Sequence, residues 1–200
     1  MISRYLLLLL VWGGSAAAQS SSCEVDRARV LALDEQQFDQ DQSGGWRTLA
    51  DTPGCNLAAA DLLRDYRQAH HNEAGILYWH EGQLRAFGGQ SEQAIVLMNK
   101  SHKPAAQDLA GWNQYVDATI AFLRKDRAAL DKANAALAAV VPPVGKDVPP
   151  VVNGVMEVWM ADGQTMKIRW PPNIDVVEGL AKCFDQPYET AYGSACRPPQ

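Results

Sequence analysis

Apolar residues recur at helical spacing along most of this chain. Val25, Ala28, Leu31 and Phe38 share a stripe with Glu35 and predict a first helix over residues 24–38. Residues 39–54 are polar and Gly-rich, interrupted by Trp46 and Leu49, and read as a loop with at most one helical turn. Asn56 is a suitable N-cap for a helix over 57–70, whose Ala59, Leu62, Leu63 and Tyr66 form an apolar face. The next helix spans 73–87 and is broken by Gly88-Gly89, after which Ser91 caps a helix to about Ser101. Past Lys103-Pro104, a helix starting near Ala105 or Ala106 runs to Arg124, with Trp112, Tyr115, Val116, Thr119, Ile120 and Leu123 on its faces. After a turn at Lys125-Asp126, residues 127–140 continue with Leu130, Ala133, Leu137 and Val140 in register.

The pattern then changes. Pro142, Pro143, Pro149 and Pro150 mark an extended connector. Residues 155–160 and 165–170 flank Asp162-Gly163 and read as two short strands around a tight turn, although a helical turn fits the first equally well. Pro171-Pro172-Asn173 stops this element, and Asn173 or Asp175 caps a last helix to about Phe184. The tail from Gln186 to Arg197 carries Tyr188 and Tyr192 and is expected to fold back across the helices.

One spacing occurs twice. Gly82, Ala94 and Met98 are echoed by Ala118, Ala129 and Ala133, about thirty-five residues on, the period of a helix–turn–helix unit. Ala-rich helix surfaces allow the close approach that stacked hairpins need. The fold expected is mainly α, stacked antiparallel helical hairpins with a small C-terminal extension. Its parts are a leader at 1–18, a helical array at 19–140, a Pro-rich connector at 141–152 and a C-terminal segment at 153–200.

The leader follows from Arg4, the apolar run from Tyr5 to Trp12, and Ala16-Ala17-Ala18, the small-residue pattern of a signal-peptidase site. That run is too short to anchor the chain in a bilayer, and no membrane span is expected. Cys23 is not at the cleavage junction, so a lipoprotein is not expected. The localisation indicated is periplasmic or secreted. Formal net charge is −5 and becomes one unit more negative without Arg4. An acidic chain without a basic run gains nothing from counterion release, so nucleic acid is not an expected partner. An even set of cysteines, Cys23, Cys55, Cys183 and Cys196, favours two disulfides in an exported chain. Three connectivities are open, and the simplest pairs sequence neighbours, Cys23–Cys55 and Cys183–Cys196.

Two clusters bear chemistry. His70, His71 and Glu73 stand at a helix junction and His80-Glu81 follows, but the H-E-x-x-H spacing that sets two imidazoles on one helix face is absent. Glu73 and Glu81 are separated by roughly 12 Å of helical rise, too far for a paired-carboxylate hydrolase. No nucleophile elbow occurs, and Gly88-Gly89 follows a helix, so it is no phosphate loop. No cofactor or metal is expected.

Tyr78, Gly82, Gly89, Ala94 and Met98 fall in order on the signature positions of the tetratricopeptide repeat, with Ser101 on the next small position and Pro104 slightly early for the closing proline. Residues 73–140 resemble that family, with Arg85 replacing an aromatic and a shorter, Gly-free turn in the second copy. The resemblance implies a right-handed array in which the first helix of each repeat lines a concave groove. The groove-facing positions would be Ile76, Trp79, Gln83 and Phe87, then Tyr115, Thr119 and Phe122. Aromatic and amide groups there suit capture of a protein segment or peptide. The reading is an exported, non-enzymatic protein- or peptide-binding module. The alternative is a small helical envelope hydrolase or metal-dependent enzyme centred on Glu81 or on His70, His71 and Glu73, and a lesser one is a platform for oligomerisation.

Overall fold

The structure is a computed structural model describing residues 23–145, 148–159 and 163–198. The expected leader, and Asp162 of the expected turn, lie outside the described residues.

Side chains that accept from nearby backbone amides set where several of the helices begin. The single helix expected over 24–38 is two pieces. Asp26 accepts from the Arg29 amide and starts α1 (Arg27–Leu31), while Asp34 accepts from the Gln37 amide at 2.8 Å and starts a π-helical turn (Gln36–Gln40). A carboxylate one side chain away from its own backbone competes with helix continuation, and here it wins. The break turns Phe38 and Asp39 into the core. The loop contains one short helix, α2 (Arg47–Ala50), and returns to the start of α1, so that the Cys23–Cys55 disulfide closes with a Cα–Cα distance of 5.4 Å.

Next comes α3 (Asn56–His70), with Asn56 its first helical residue rather than its cap. His71, at φ 49°, ends it. Asn72 accepts from the Ala74 amide, which delays α4 (Gly75–Phe87) by two residues and leaves Glu73 outside the helix. Then α5 (Ser91–Asn99) folds back on α4, with Gln90 at its N-cap position. A Cβ on Gly82 would stand 3.0 Å from Met98 Cγ and 3.1 Å from the Ala94 carbonyl oxygen, so the small residue there is a condition of the α4–α5 approach. The helix expected from Ala105 starts later. Asp108 accepts from the Trp112 and Asn113 amides, so residues 105–107 form only a 3₁₀ turn and α6 runs Trp112–Leu123. Asp126 caps α7 (Arg127–Ala138).

The C-terminal part is a three-stranded antiparallel sheet and two helices. β1 (Val151–Val152) falls where only connector was expected, and pairs with β2 (Val155–Trp159). β2 pairs with β3 (Thr165–Arg169) in a register that sets Glu157 opposite Lys167, so the strand reading of this stretch holds. α8 (Ile174–Lys182) and α9 (Tyr188–Tyr192) follow, and the Cys183–Cys196 disulfide brackets the second.

Two hydrophobic clusters meet at α4. Leu77 and Leu84 join Phe38, Trp46, Leu62, Leu63 and Tyr66 on one side. Trp79 and Ala86 join Met98, Tyr115, Val116, Phe122, Leu130, Leu137, Val177, Leu180 and Tyr188 on the other. Between α3 and α4 lies a charged seam. Glu81, only 2 % exposed, pairs through one oxygen with Arg67 and through the other with Arg85 Nε at 2.9 Å. Arg85 reaches on to Gln90 and Asp61, and Asp61 to Arg64. Breaking a buried pair leaves an uncompensated charge, at a cost on the order of 3–5 kcal/mol. Glu81→Leu, which removes the carboxylate partner of buried Arg67 and leaves Arg85 with Asp61 and Gln90 alone, is therefore expected to lower stability by about that amount in urea denaturation, and a loss below about 1 kcal/mol would contradict this role.

Candidate functional site

α4 carries Ile76, Trp79, Gln83 and Phe87, and α6 carries Tyr115, Thr119 and Phe122. The structure brings these two rows together at the aromatic positions, with the Trp79 ring 4.8 Å from Tyr115 and 5.1 Å from Trp112. Most of this face is closed from outside. Phe87 packs 5.2 Å from Tyr188 and 5.4 Å from Tyr192, and Phe122 lies 5.9 Å from both Phe184 and Tyr188. Trp79, Tyr115, Thr119 and Phe122 are all buried, and the Thr119 hydroxyl donates to the Tyr115 carbonyl of its own helix. These positions serve as core rather than free surface, because the C-terminal segment lies on them.

That segment is tied down at several points. Besides its disulfide, Lys125 donates to the Phe184 and Gln186 carbonyls and Arg127 to the Ala181 carbonyl, so the α6–α7 turn grips it. Burial, reinforced by the neighbouring phenols of Tyr192 and Tyr188, raises the pKa of Tyr115 well above its ordinary value. Gln83 faces the Tyr188 hydroxyl, yet neither the Gln83 Nε2 nor the Tyr188 Oη completes a hydrogen bond of ordinary geometry. At this seam the closure leaves polar atoms on both sides short of partners.

Phe87 and Phe122 line a small cleft of about 200 Å³ against residues 186–189, and Ile76 lies at the other end of the row. It stands at the start of α4, and there the face opens into a cleft of about 540 Å³ lined by Glu73, Gly75, Ile76, residues 100–104, Gln107 and Trp112. Trp112 is fixed by its indole N–H, which donates to the Ser101 carbonyl at 2.8 Å. Lys100 Nζ rests 4.6 Å from the Tyr78 ring and Lys103 Nζ 5.3 Å from the Trp112 ring. Neither ammonium forms an ion pair among the described residues. Glu73 accepts from the Tyr78 hydroxyl. The cleft therefore joins an apolar floor to two cationic groups resting on aromatic faces. His102 adds a third charge when protonated, with its ring nitrogens on the Asn99 carbonyl and on Asp117.

The other chemical candidates are spent on structure. Both Glu81 oxygens are held by arginines. His70 contacts the Leu31 carbonyl at 2.7 Å and stacks on Tyr66, while His71 is exposed. Nδ1 of His80 lies 2.7 Å from Asp39, whose carboxylate also accepts from the Trp46 indole. Burial would raise the Asp39 pKa, but the His80 and Trp46 hydrogen bonds and the charge of Arg47 pull it below the ordinary value. Among the described residues no three His, Cys, Asp and Glu side chains converge as a metal site, and the four cysteines form the two expected disulfides.

Lys100, Lys103, His102 and Trp112 line the cleft without the sequence pattern having singled them out for it. Their one signal is a Lys-x-x-Lys pair just ahead of Pro104 and a tryptophan at the start of the next helix. Compared with protein families, with characterised proteins and with solved structures, the chain matches none.

His102 gives the site a pH dependence. Burial opposes its charge, but the Asn99 carbonyl and Asp117 outweigh this and hold the imidazole above its ordinary value. A raised folded-state pKa stabilises the protonated form. The contribution is therefore complete below the unfolded value of about 6.5 and fades as pH rises through the higher folded value. Asp117 is well exposed, which limits the pair to a few tenths of a kcal/mol. Across pH 6 to 8, His102→Gln should flatten that part of the stability profile in thermal denaturation; an unchanged profile would contradict the assignment.

Proposed function

We propose that this chain is an exported, non-enzymatic binding module with a tetratricopeptide-like helical array, which holds a protein segment at the cleft between Ile76 and Trp112. The observation that carries this reading is one cleft in which an apolar floor adjoins two ammonium groups without ion-pair partners among the described residues. A matching ligand presents an aromatic or large aliphatic side chain beside one or two carboxylates. Burial of that side chain on Ile76 and Trp112 supplies most of the affinity. Lys100 and Lys103, both exposed, supply orientation, association rate and salt dependence.

Export is supported by two disulfides, which persist in oxidising compartments, and by the leader pattern. Among the described residues no helix is long and apolar enough to cross a membrane. The rest of the inner face, from Trp79 to Phe122, plays a capping part in this reading. Short arrays need their end surfaces covered, and α8 and α9 cover this one.

The test is calorimetric titration with a synthetic hexapeptide bearing one phenylalanine flanked by aspartates. Wild-type protein is expected to bind it. Lys100→Glu with Lys103→Glu should weaken binding at least about tenfold, roughly 1.4 kcal/mol, and replacing the peptide phenylalanine with alanine should do the same. Equal affinity in the lysine variant, or no binding by wild type, would overturn the proposal.

A further inference from the structure

Exposed apolar surface is concentrated in one part of the molecule. Among the described residues the exposed large apolar side chains are Val141, Val144, Val152, Trp159 and Met166, all within residues 141–166, and otherwise only Val96 and Leu109. Trp159 is 76 % exposed. Such clustering marks an interaction surface more than scattered single residues do.

Of these, Val152 and Trp159 share one face of the sheet, while Met166 lies on the other with Met156, Val158 and Ile168. Strand alternation sends Met156 and Ile168 inward, the first buried and the second half-buried, and sends Val152, Glu157, Trp159, Thr165 and Lys167 outward. Val148, Pro149 and Pro150 rise beside the β1 edge and wall a cleft of about 850 Å³ on that outward face. In the middle of the face Glu157 and Lys167 stand opposite each other, 3.5 Å apart and both exposed.

We infer that this outward face pairs with the same face of a second copy of the chain, about a two-fold axis running along the strands between β2 and β3. Such an axis carries β2 over β3 without reversing position along the strand. Glu157 then meets Lys167 of the second copy, Lys167 meets Glu157, and each Trp159 covers Thr165 of the other. The wall at residues 148–150 clasps the outer edge of the other copy's β3. An axis across the strands would instead set Glu157 against Glu157, so the charge pattern selects one of the two geometries. The interface is isologous, as two-fold pairs require. Its area is that of one small arm, so the dimer belongs to the weak class and dissociates on dilution.

Charge swapping tests this decisively. Sedimentation analysis of the purified chain over a concentration series up to about 200 μM is expected to show a monomer–dimer equilibrium. Glu157→Lys and Lys167→Glu should each weaken it at least tenfold, since each sets like charges across the axis. An equimolar mixture of the two variants should recover dimers, because the two ammonium groups of the first variant's face then meet the two carboxylates of the second's across the axis. Repair of the contact within one chain cannot produce that recovery. Trp159→Ala should weaken dimerisation while leaving the far-ultraviolet spectrum unchanged. Wild type that stays monomeric throughout, as it would if the face serves a different protein, overturns the inference; so does a mixture that fails to recover dimers.

Discussion

The architecture depends on one buried carboxylate. Glu81 sits in the middle of α4, the helix shared by both hydrophobic clusters, and fastens it to α3 through Arg67, while Arg85 on α4 itself holds the other oxygen and reaches Asp61 of α3. A charge this deep is tolerable only when both of its oxygens are engaged, and that fixes the rotation of α4 about its own axis. With the rotation set, Leu77 and Leu84 face the N-terminal helices, and Trp79 and Ala86 face α6 and the C-terminal segment. The Arg67 guanidinium also lies over the Tyr78 ring, 3.9 Å from its centroid, and Tyr78 in turn supports Lys100 at the mouth of the cleft. The core charge and the candidate site are therefore linked through a single aromatic ring.

The inner face formed by α4 and α6 carries an aromatic row that the chain mostly uses internally. Its aromatic row is complete, but Phe184, Tyr188 and Tyr192 lie across it. Covering it buries area worth on the order of 1.5–3 kcal/mol per large side chain, which a short helical stack needs. The cleft at Ile76 and Trp112 stays open because the C-terminal segment is gripped at the opposite end, by Lys125 and Arg127 beyond the C-terminus of α6.

Much of the fold could be read from local pattern. The helical stripes of α3, α4 and α7 followed from spacing, because each rests on neighbours in sequence; the strand pair around residues 155–169 and the disulfide pairing were each one of several readings that spacing left open. The errors arose where a side chain intercepted its own backbone. Asp34 divides the first helix, and Asp108 moves the start of α6 past Ala105. The accessibility of the aromatic row was beyond local reasoning. Whether Phe122 faces solvent depends on Phe184, more than sixty positions later, and a groove-facing stripe has the same periodicity as a core-facing one. The cleft was hidden for a similar reason: Lys100 and Lys103 read as ordinary surface charges until the chain after α5 folds them toward Ile76 and Trp112.

The C-terminal segment is an integral part of the core and leaves the Ile76–Trp112 end of the inner face open. Native-state hydrogen exchange, resolved by segment, tests it most directly. The slowest amides of α8 are expected to exchange with the same free energy as those of α4 and α6, through unfolding of the whole. If α8 and α9 instead exchange through an opening several kcal/mol easier while α6 stays protected, the segment is a removable cover. The whole row from Trp79 to Phe122 would then be the binding surface.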